Sequence, residues 1–447
     1  MHSQAPVPQP RALAPIDARA RVQGIDIARG IALLGIILVN ARFFFLPFMW
    51  AAEPRMIPTD MQASTVDLVA RDAIDAFCVF KFISMFSLLF GFGLAQQIDR
   101  ARAAGRSTWT FALRRLGLLL AIGLVHGLLV WYGDILSIYA LIGIVVVACM
   151  RLSDRWLRRV VIGLACIMLT LTVLVAALQF AFGGRFGTSA VETAPPAATV
   201  EPAEPAPAPT ATAAAAPPRG FDAMLRAQFT PTSQVWIDAE IAAQQQGPWL
   251  NAFAFRAAGY AFAIVAAAFS YGWHVLLMML IGVWMQRSGL FRADASSRRW
   301  RLARWGLAIG LPCAIGGVLP YWLLGRESGL AVFAHSVLLT GSALMLPLAY
   351  APLIVELGPR LPAFVREPLA ATGRMALTVY LCESLVCTAL ASWWGLGLFA
   401  TLSDAQSTLV AAAVWTALVC AAYAWRRFVG DGPMERLWRA GTYGGRG

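Results

Sequence analysis

A chain of 447 residues that is 59% hydrophobic and 13% charged, with a mean hydropathy of +0.65, does not describe a soluble domain, where charged residues run near 25%. The formal net charge of +12 does not call for nucleic acid, because the arginines gather in short connections between apolar runs, where they set membrane topology. Seven cysteines, at 78, 149, 166, 313, 382, 387 and 420, fall almost all inside those runs without metal-ligand or redox spacing and read as packing residues.

Residues 1–20, rich in Pro, Ala and Arg, predict a disordered tail. The first apolar run, 25–46, carries Asp26, Arg29 and Asn40. Ionisable groups at membrane depth are costly, which makes each a functional candidate. Asp26 and Arg29 are three apart and therefore neighbours on a helix. Asn40 lies about four turns, roughly 21 Å, further along nearly the same face. The plainer reading is an ion pair seating the helix end and an Asn bonded to a neighbouring helix.

Further apolar runs predict spans near 75–97, 116–131, 134–150, 160–182, 271–287, 302–324, 330–354, 368–391 and 405–425. Arg100, Arg102, Arg106, Arg114 and Arg115 precede the third span, and Arg151, Arg155, Arg158 and Arg159 the fifth; further arginines cluster at 287–304 and 426–446. The intervening connections are acidic or neutral, with Glu53, Asp60, Asp67, Asp72, Asp134 and Asp404. The alternation predicts about ten spans with both termini cytoplasmic. Between 251 and 287 it requires an odd number of crossings, so 252–269 is expected to be an interfacial or re-entrant helix with Arg256 toward the headgroups. The chain thus divides into a tail (1–20), a five-helix half (21–182), an extracytoplasmic connection (183–251) whose 190–218 portion is Ala/Pro/Thr low complexity, and a second half (252–447). The fold class is all-α, a polytopic membrane bundle.

Within the spans, Ser87, Gly91 and Ala95 form a small-residue stripe, and Gly123 and Gly127 form a second seam. Lys81 is expected to snorkel outward. His126 lies near the Trp131-Tyr132-Gly133-Asp134 corner, where Asp134 suits a helix cap. Topology puts His126, His274 and His335 in the outer third of the bilayer. Three separate spans with no local spacing do not make a zinc site, and no metal is expected; a neutral His in a polar cavity could serve as a general base. Arg374 and Glu383 fall on opposite faces of one predicted helix, so they are not expected to pair, and Glu383 should face the bundle interior. No phosphate loop, HExxH or GxSxG pattern occurs.

Gly24 to Ile36 with Asn40, Lys81 to Gly91, Arg114-Arg115-Leu116, His126-Gly127, Tyr132 to Leu136, Gly373 to Thr378, Gly395 to Phe399 and Gly432 to Gly444 resemble the YeiB-like family of bacterial inner-membrane proteins, a domain of unknown function. Val379 and Glu383 stand where that pattern carries Asn and Gln. More distantly, Asp26-x-x-Arg29-Gly30 with a polar residue fourteen after the Asp resembles the first helix of transmembrane acyltransferases that decorate bacterial glycans, and of the lysosomal heparan glucosaminide acetyltransferase. That resemblance implies acyl-CoA as donor at Asp26, Arg29 and Arg374 on the cytoplasmic side. It implies a hydroxyl or amine acceptor, a small molecule or glycan, outside. No His follows Asn40 between 41 and 60, so His126, oriented by Asp134, is the substitute base, with Asn40 as oxyanion donor. The alternatives are a proton-coupled transporter with Lys81, Glu383, His274 and His335 along its path, or a non-catalytic membrane protein. The expected surroundings are the lipid bilayer of the bacterial inner membrane; oligomeric state is not legible.

Overall fold

Leu-, Ile- and Ala-rich runs with no backbone partner other than themselves form helices, since in lipid every N–H and C=O must be satisfied within the segment. The computed structural model describes residues 22–52, 57, 63–182, 220–227 and 230–443. The predicted tail and most of the Ala/Pro connection lie outside the described residues. In chain order the helices are α1 (Gln23–Phe45), α2 (Phe48–Ala52), α3 (Thr65–Phe77), α4 (Lys81–Ala103), α5 (Thr108–Leu129), α6 (Leu136–Cys149), α7 (Asp154–Ala181), α8 (Gly220–Arg226) and α9 (Gln234–Gln246). They continue as α10 (Trp249–Phe269), α11 (Tyr271–Arg287), α12 (Ser296–Leu324), α13 (Gly329–Leu357), α14 (Ala363–Arg374), α15 (Ala376–Ala391), α16 (Asp404–Phe428) and α17 (Pro433–Tyr443). No strand occurs among the described residues; the fold is an all-α polytopic bundle.

Several ends are set by local chemistry. Ser64 with Asp67 and Ser403 with Gln406 form capping boxes that start α3 and α16. Pro312, Pro320, Pro347 and Pro352 sit inside α12 and α13 without ending them, as neighbours in a membrane bundle allow.

Eight helices among the described residues are long and apolar enough to cross a membrane, and a ninth crossing arises if α14 and α15 count as one bent span. The difference from ten has three sources, two spans lost and one gained, the first being α11, which has 17 residues and is not among them. Helix α6 has only 14 residues, about 21 Å of rise against a core near 30 Å. Helix α10, expected at the interface, has 21 residues and suffices alone by length and composition. It packs against α5 and is followed at Ser270 by α11. Arg256 on α10 bonds the end of α5, whereas Arg287 on α11 bonds the α6–α7 turn. Because α5 and α6 form a hairpin, those are opposite ends of the bundle, and the pair makes one net traverse.

The two sequence halves interleave. Helix α1 is packed by α4, α13, α14, α15 and α16, and α4 by α11. Gly91 on α4 faces the backbone of Met279, and Gly282 on α11 that of Leu88; a Cβ at either would collide with main chain, so the small-residue stripe is where these helices touch. The largest core cluster joins Leu33 and Ile36 of α1 with Leu116, Leu119, Tyr139, Met279, Val379 and Tyr380.

Candidate functional site

The α5–α6 hairpin builds the most concentrated polar group inside the bundle. His126, one turn before the end of α5, is 2% exposed, as is Asp134 in the turn. His126 Nδ1 lies 2.9 Å from Asp134 Oδ1. Asp134 Oδ2 accepts the backbone N–H of Ser137 at 2.8 Å, so the expected cap and the expected orienting acid are one carboxylate acting through its two oxygens. Nδ1–H donation to that carboxylate leaves Nε2 as the ring's basic atom, and Nε2 is buried without a hydrogen-bond partner among the described residues.

The glycine seam makes this arrangement possible. An added Cβ on Gly123 would collide with Ser137 Oγ and come within 2.7 Å of Asp134 Oδ2, and one on Gly127 would collide with the Tyr260 ring. The Tyr260 hydroxyl, from α10, donates to Ser137 Oγ at 2.6 Å. From α15, the Tyr380 ring lies 5.3 Å from the imidazole. Its hydroxyl accepts from Ile135 N–H at 3.3 Å and reaches Gly133 O only at 3.5 Å. Glu383, less than one turn further on, is 2% exposed with Oε1 unpartnered among the described residues.

Asn40 is half-buried on the face of Leu33 and Ile36 and bonds neither His126 nor Asp134. At the other end of α1, Arg29 Nη1 lies 3.4 Å from Asp26 Oδ1, with Asp26 1% exposed. Gly93 of α4 leaves room for the Arg29 guanidinium. Arg115 lies 3.5 Å over the Trp438 ring of α17.

Three expectations are corrected. Lys81 does not snorkel: it is 1% exposed and donates to Asp75 O at 2.7 Å, because the preceding helix α3 covers it and Asp75 pairs with Arg42. Arg256 does not face headgroups: it is buried and donates to Leu129 O at 2.9 Å, satisfying the carbonyl end of α5. Arg374 and Glu383 do not share a helix, since the chain bends by 88° between α14 and α15. The three histidines lie in separate surroundings, as their separate spans imply. His274 Nε2 lies 2.5 Å from Ser84 Oγ, and His335 sits on Tyr321 with Nδ1 3.2 Å from Gly317 O. No group of three His, Cys, Asp or Glu able to hold a metal occurs among the described residues.

Sequence reasoning missed Glu240 on α9, which is buried and accepts Phe48 N–H at 3.3 Å. Burial pushes its carboxyl up to about 7. It also missed Glu435 on α17, whose Oε1 accepts the N–H groups of Leu377 and Thr378 and whose Oε2 accepts the Thr378 hydroxyl. No local pattern marks either, because each acts on a distant element.

Buried ionic and hydrogen-bonded groups inside a bundle of long apolar helices define a multi-pass membrane protein. Residues 285–445 match the family model "Protein of unknown function (DUF418)". The chain is 28% identical over 432 residues to the uncharacterized protein YeiB of Escherichia coli, covering 93% of this chain and 94% of that protein. It is 27% identical over 435 residues to YxaH of Bacillus subtilis, covering 96% of each. A 39.9 kDa protein encoded in the amylase 3' region of Bacillus acidopullulyticus is 31% identical over 166 residues, 37% of this chain and 43% of that protein. Together these similarities support a YeiB-like DUF418 family for the chain. No solved structure matches.

Proposed function

We propose that the protein is a transmembrane acyltransferase of the bacterial inner membrane, moving an acyl group from a cytoplasmic thioester, acyl-CoA, to a hydroxyl or amine acceptor, a small molecule or glycan, on the outer side. The helical architecture supports the inner-membrane part of this reading, since bacterial outer-membrane spans are β-barrels. The observation that carries the reading is the buried His126–Asp134 pair, with Nδ1 held at 2.9 Å and Nε2 unpartnered among the described residues, the arrangement a positioned general base needs. Nε2 takes the acceptor's proton as its oxygen or nitrogen attacks the thioester carbonyl. The new acyl bond forms, the C–S bond breaks, and the proton passes to the leaving thiolate. Tyr380, whose hydroxyl is loosely held beside the imidazole, takes the oxyanion-donor role, since Asn40 does not meet the pair. Arg29 and Arg115 meet the donor's phosphates near the opposite end. Eleven residues of α5 separate Arg115 from His126, about 16 Å of axis for the thioester arm to cover.

General-base catalysis contributes about 10²–10⁴-fold. His126→Ala should lose that much of the acyl-transfer or acyl-CoA hydrolysis rate of the purified protein. Asp134→Asn, which can still accept from Ser137, should lose less. A rate unchanged in His126→Ala sinks the mechanism.

One observation favours a second reading, proton-coupled transport: the 88° break between α14 and α15, followed two turns later by the buried Glu383. Broken helices line transport sites. Proton-driven uptake into proteoliposomes that is lost in Glu383→Gln and kept in His126→Ala would select it.

A further inference from the structure

An open crevice of about 790 Å³ lies at the cytoplasmic end, between the end of α4, the α6–α7 turn and the segment after α11. Its volume is within the range of sites for ligands of nucleotide size. Of its ten lining residues only Met150 and Leu152 are apolar. Four arginines enter it from three separate segments: Arg102, Arg151, Arg287 and Arg292. Two acids also line it, Asp99 and Asp154, and both are already engaged. Asp99 pairs with Arg102 at 3.2 Å and accepts from Gln286 at 3.0 Å. Asp154 accepts from Arg287 at 3.0 Å, while Arg287 also donates to Leu152 O and Met150 O.

That leaves two guanidinium groups without an acid among the described residues. Arg151 lies over the Trp109 ring at 5.1 Å. The Arg292 side chain folds against Gly289, whose φ is +66°, and makes no hydrogen bond or ion pair among the described residues. The first turn of α7 opens on the same space with its N-cap Ser153 making no side-chain cap, which adds the partial positive charge of a helix start. Topology alone asks only for arginines in the loop. It does not ask that four of them converge on one concavity with two acid-free forks.

We propose that this crevice binds a phosphate-bearing ligand, with Arg151 and Arg292 as the charge-assisted donors to it and Arg102 and Arg287 positioning the walls. The phosphate could be presented by a free nucleotide-type molecule or by an anionic lipid headgroup. The proposal does not use His126 and stands independently of the acyl-transfer reading.

The test takes the full-length protein in neutral detergent and titrates it with pyrophosphate and with adenosine diphosphate by calorimetry. A second arm measures retention of phosphatidylglycerol and cardiolipin against phosphatidylcholine by native mass spectrometry. The variants are Arg151→Ala/Arg292→Ala and a charge-matched control, Arg155→Ala/Arg158→Ala, exposed on α7 outside the crevice. Binding in either arm that weakens tenfold or more in the first variant and is unchanged in the control supports the site, and the responding arm names the source. No binding in either arm, or equal weakening in both variants, overturns it. His126→Ala should bind like the wild type, so loss of transfer and loss of this site are separable.

Discussion

Glu240 enters the outer end of the bundle on α9 and is 6% exposed, lining a recess of about 30 Å³ with Tyr132, Arg256 and Ser392, room for about one water. Among the described residues its only hydrogen bonds are long contacts from Phe48 N–H, at 3.3 and 3.4 Å, so burial dominates and its carboxyl stays protonated up to about 7 instead of the usual 4.5. The folded state therefore holds a proton that the unfolded chain releases between those two values. Stability should be highest below pH 4.5, fall as pH rises toward 7, and level off above. At about 1.4 kcal/mol per pKa unit, the loss is on the order of 3 kcal/mol. Thermal unfolding in detergent from pH 5 to 8 should show this decline in the wild type and a flatter profile in Glu240→Gln, with the variant more stable at pH 8. His126 makes the complementary point. The arginine pattern predicts its place near the outer end of α5, and the sequence suggests Asp134 as its orienting acid. The feature that matters chemically, a buried Nε2 without a partner among the described residues beside the Tyr380 ring, needed α15 to arrive from more than two hundred residues away.

Among the elements, α14 and α15 show how far hydropathy carries. The run 368–391 reads as one span because its composition is continuous. The chain bends by 88° at Met375, since Gly373 lets α14 lie against the α1 backbone at Asp26 and α15 must then restart at a new angle. The restart exposes fresh backbone N–H groups inside the protein, and Glu435 of α17 accepts two of them, the closer at 2.8 Å. Removing a cap of this kind costs about 0.5–2 kcal/mol. Glu435→Ala should therefore lower the unfolding midpoint and speed hydrogen exchange at Leu377 and Thr378, whereas Glu435→Gln should retain most of the protection. Exchange unchanged in Glu435→Ala would mean that the packing of α17, including Trp438 against Arg115, holds α15 without the carboxylate. Helix α3 is a second case. Its acids read as markers of an outer connection, yet Arg71 pairs with Asp404, Asp72 accepts from Arg326 at 2.6 Å, and Asp75 accepts from Arg42 at 3.2 Å. The element is a clamp joining α1, α12 and α16.

For the whole molecule, ion pairs gather at the two ends of the bundle. Arg42, Arg71 and Arg326 pair at one end, and Arg102, Arg287 and Arg299 at the other. A fluorescent protein fused after residue 447 should fluoresce and alkaline phosphatase fused there should be inactive, with the reverse for fusions within 53–62. The opposite pattern would invert the bundle, and with it the assignment of donor and acceptor sides. By itself the sequence determined the class and the position of nearly every apolar helix, because hydrophobic run length is a one-dimensional quantity that the bilayer reads directly, and arginine placement supplies the expected orientation that the fusions test. It also brought Asp26 beside Arg29, three residues apart on one helix. Only the tertiary structure decided that α10 is a helix of 21 residues packed along α5, that Lys81 and Arg256 are buried on backbone carbonyls, and that Asn40 stays away from His126. Those outcomes depend on which faces of distant helices meet. In a bundle where α1 is packed by α13, α14, α15 and α16, that choice is made by glycine contacts and buried polar pairs between segments hundreds of residues apart, and no local pattern encodes it.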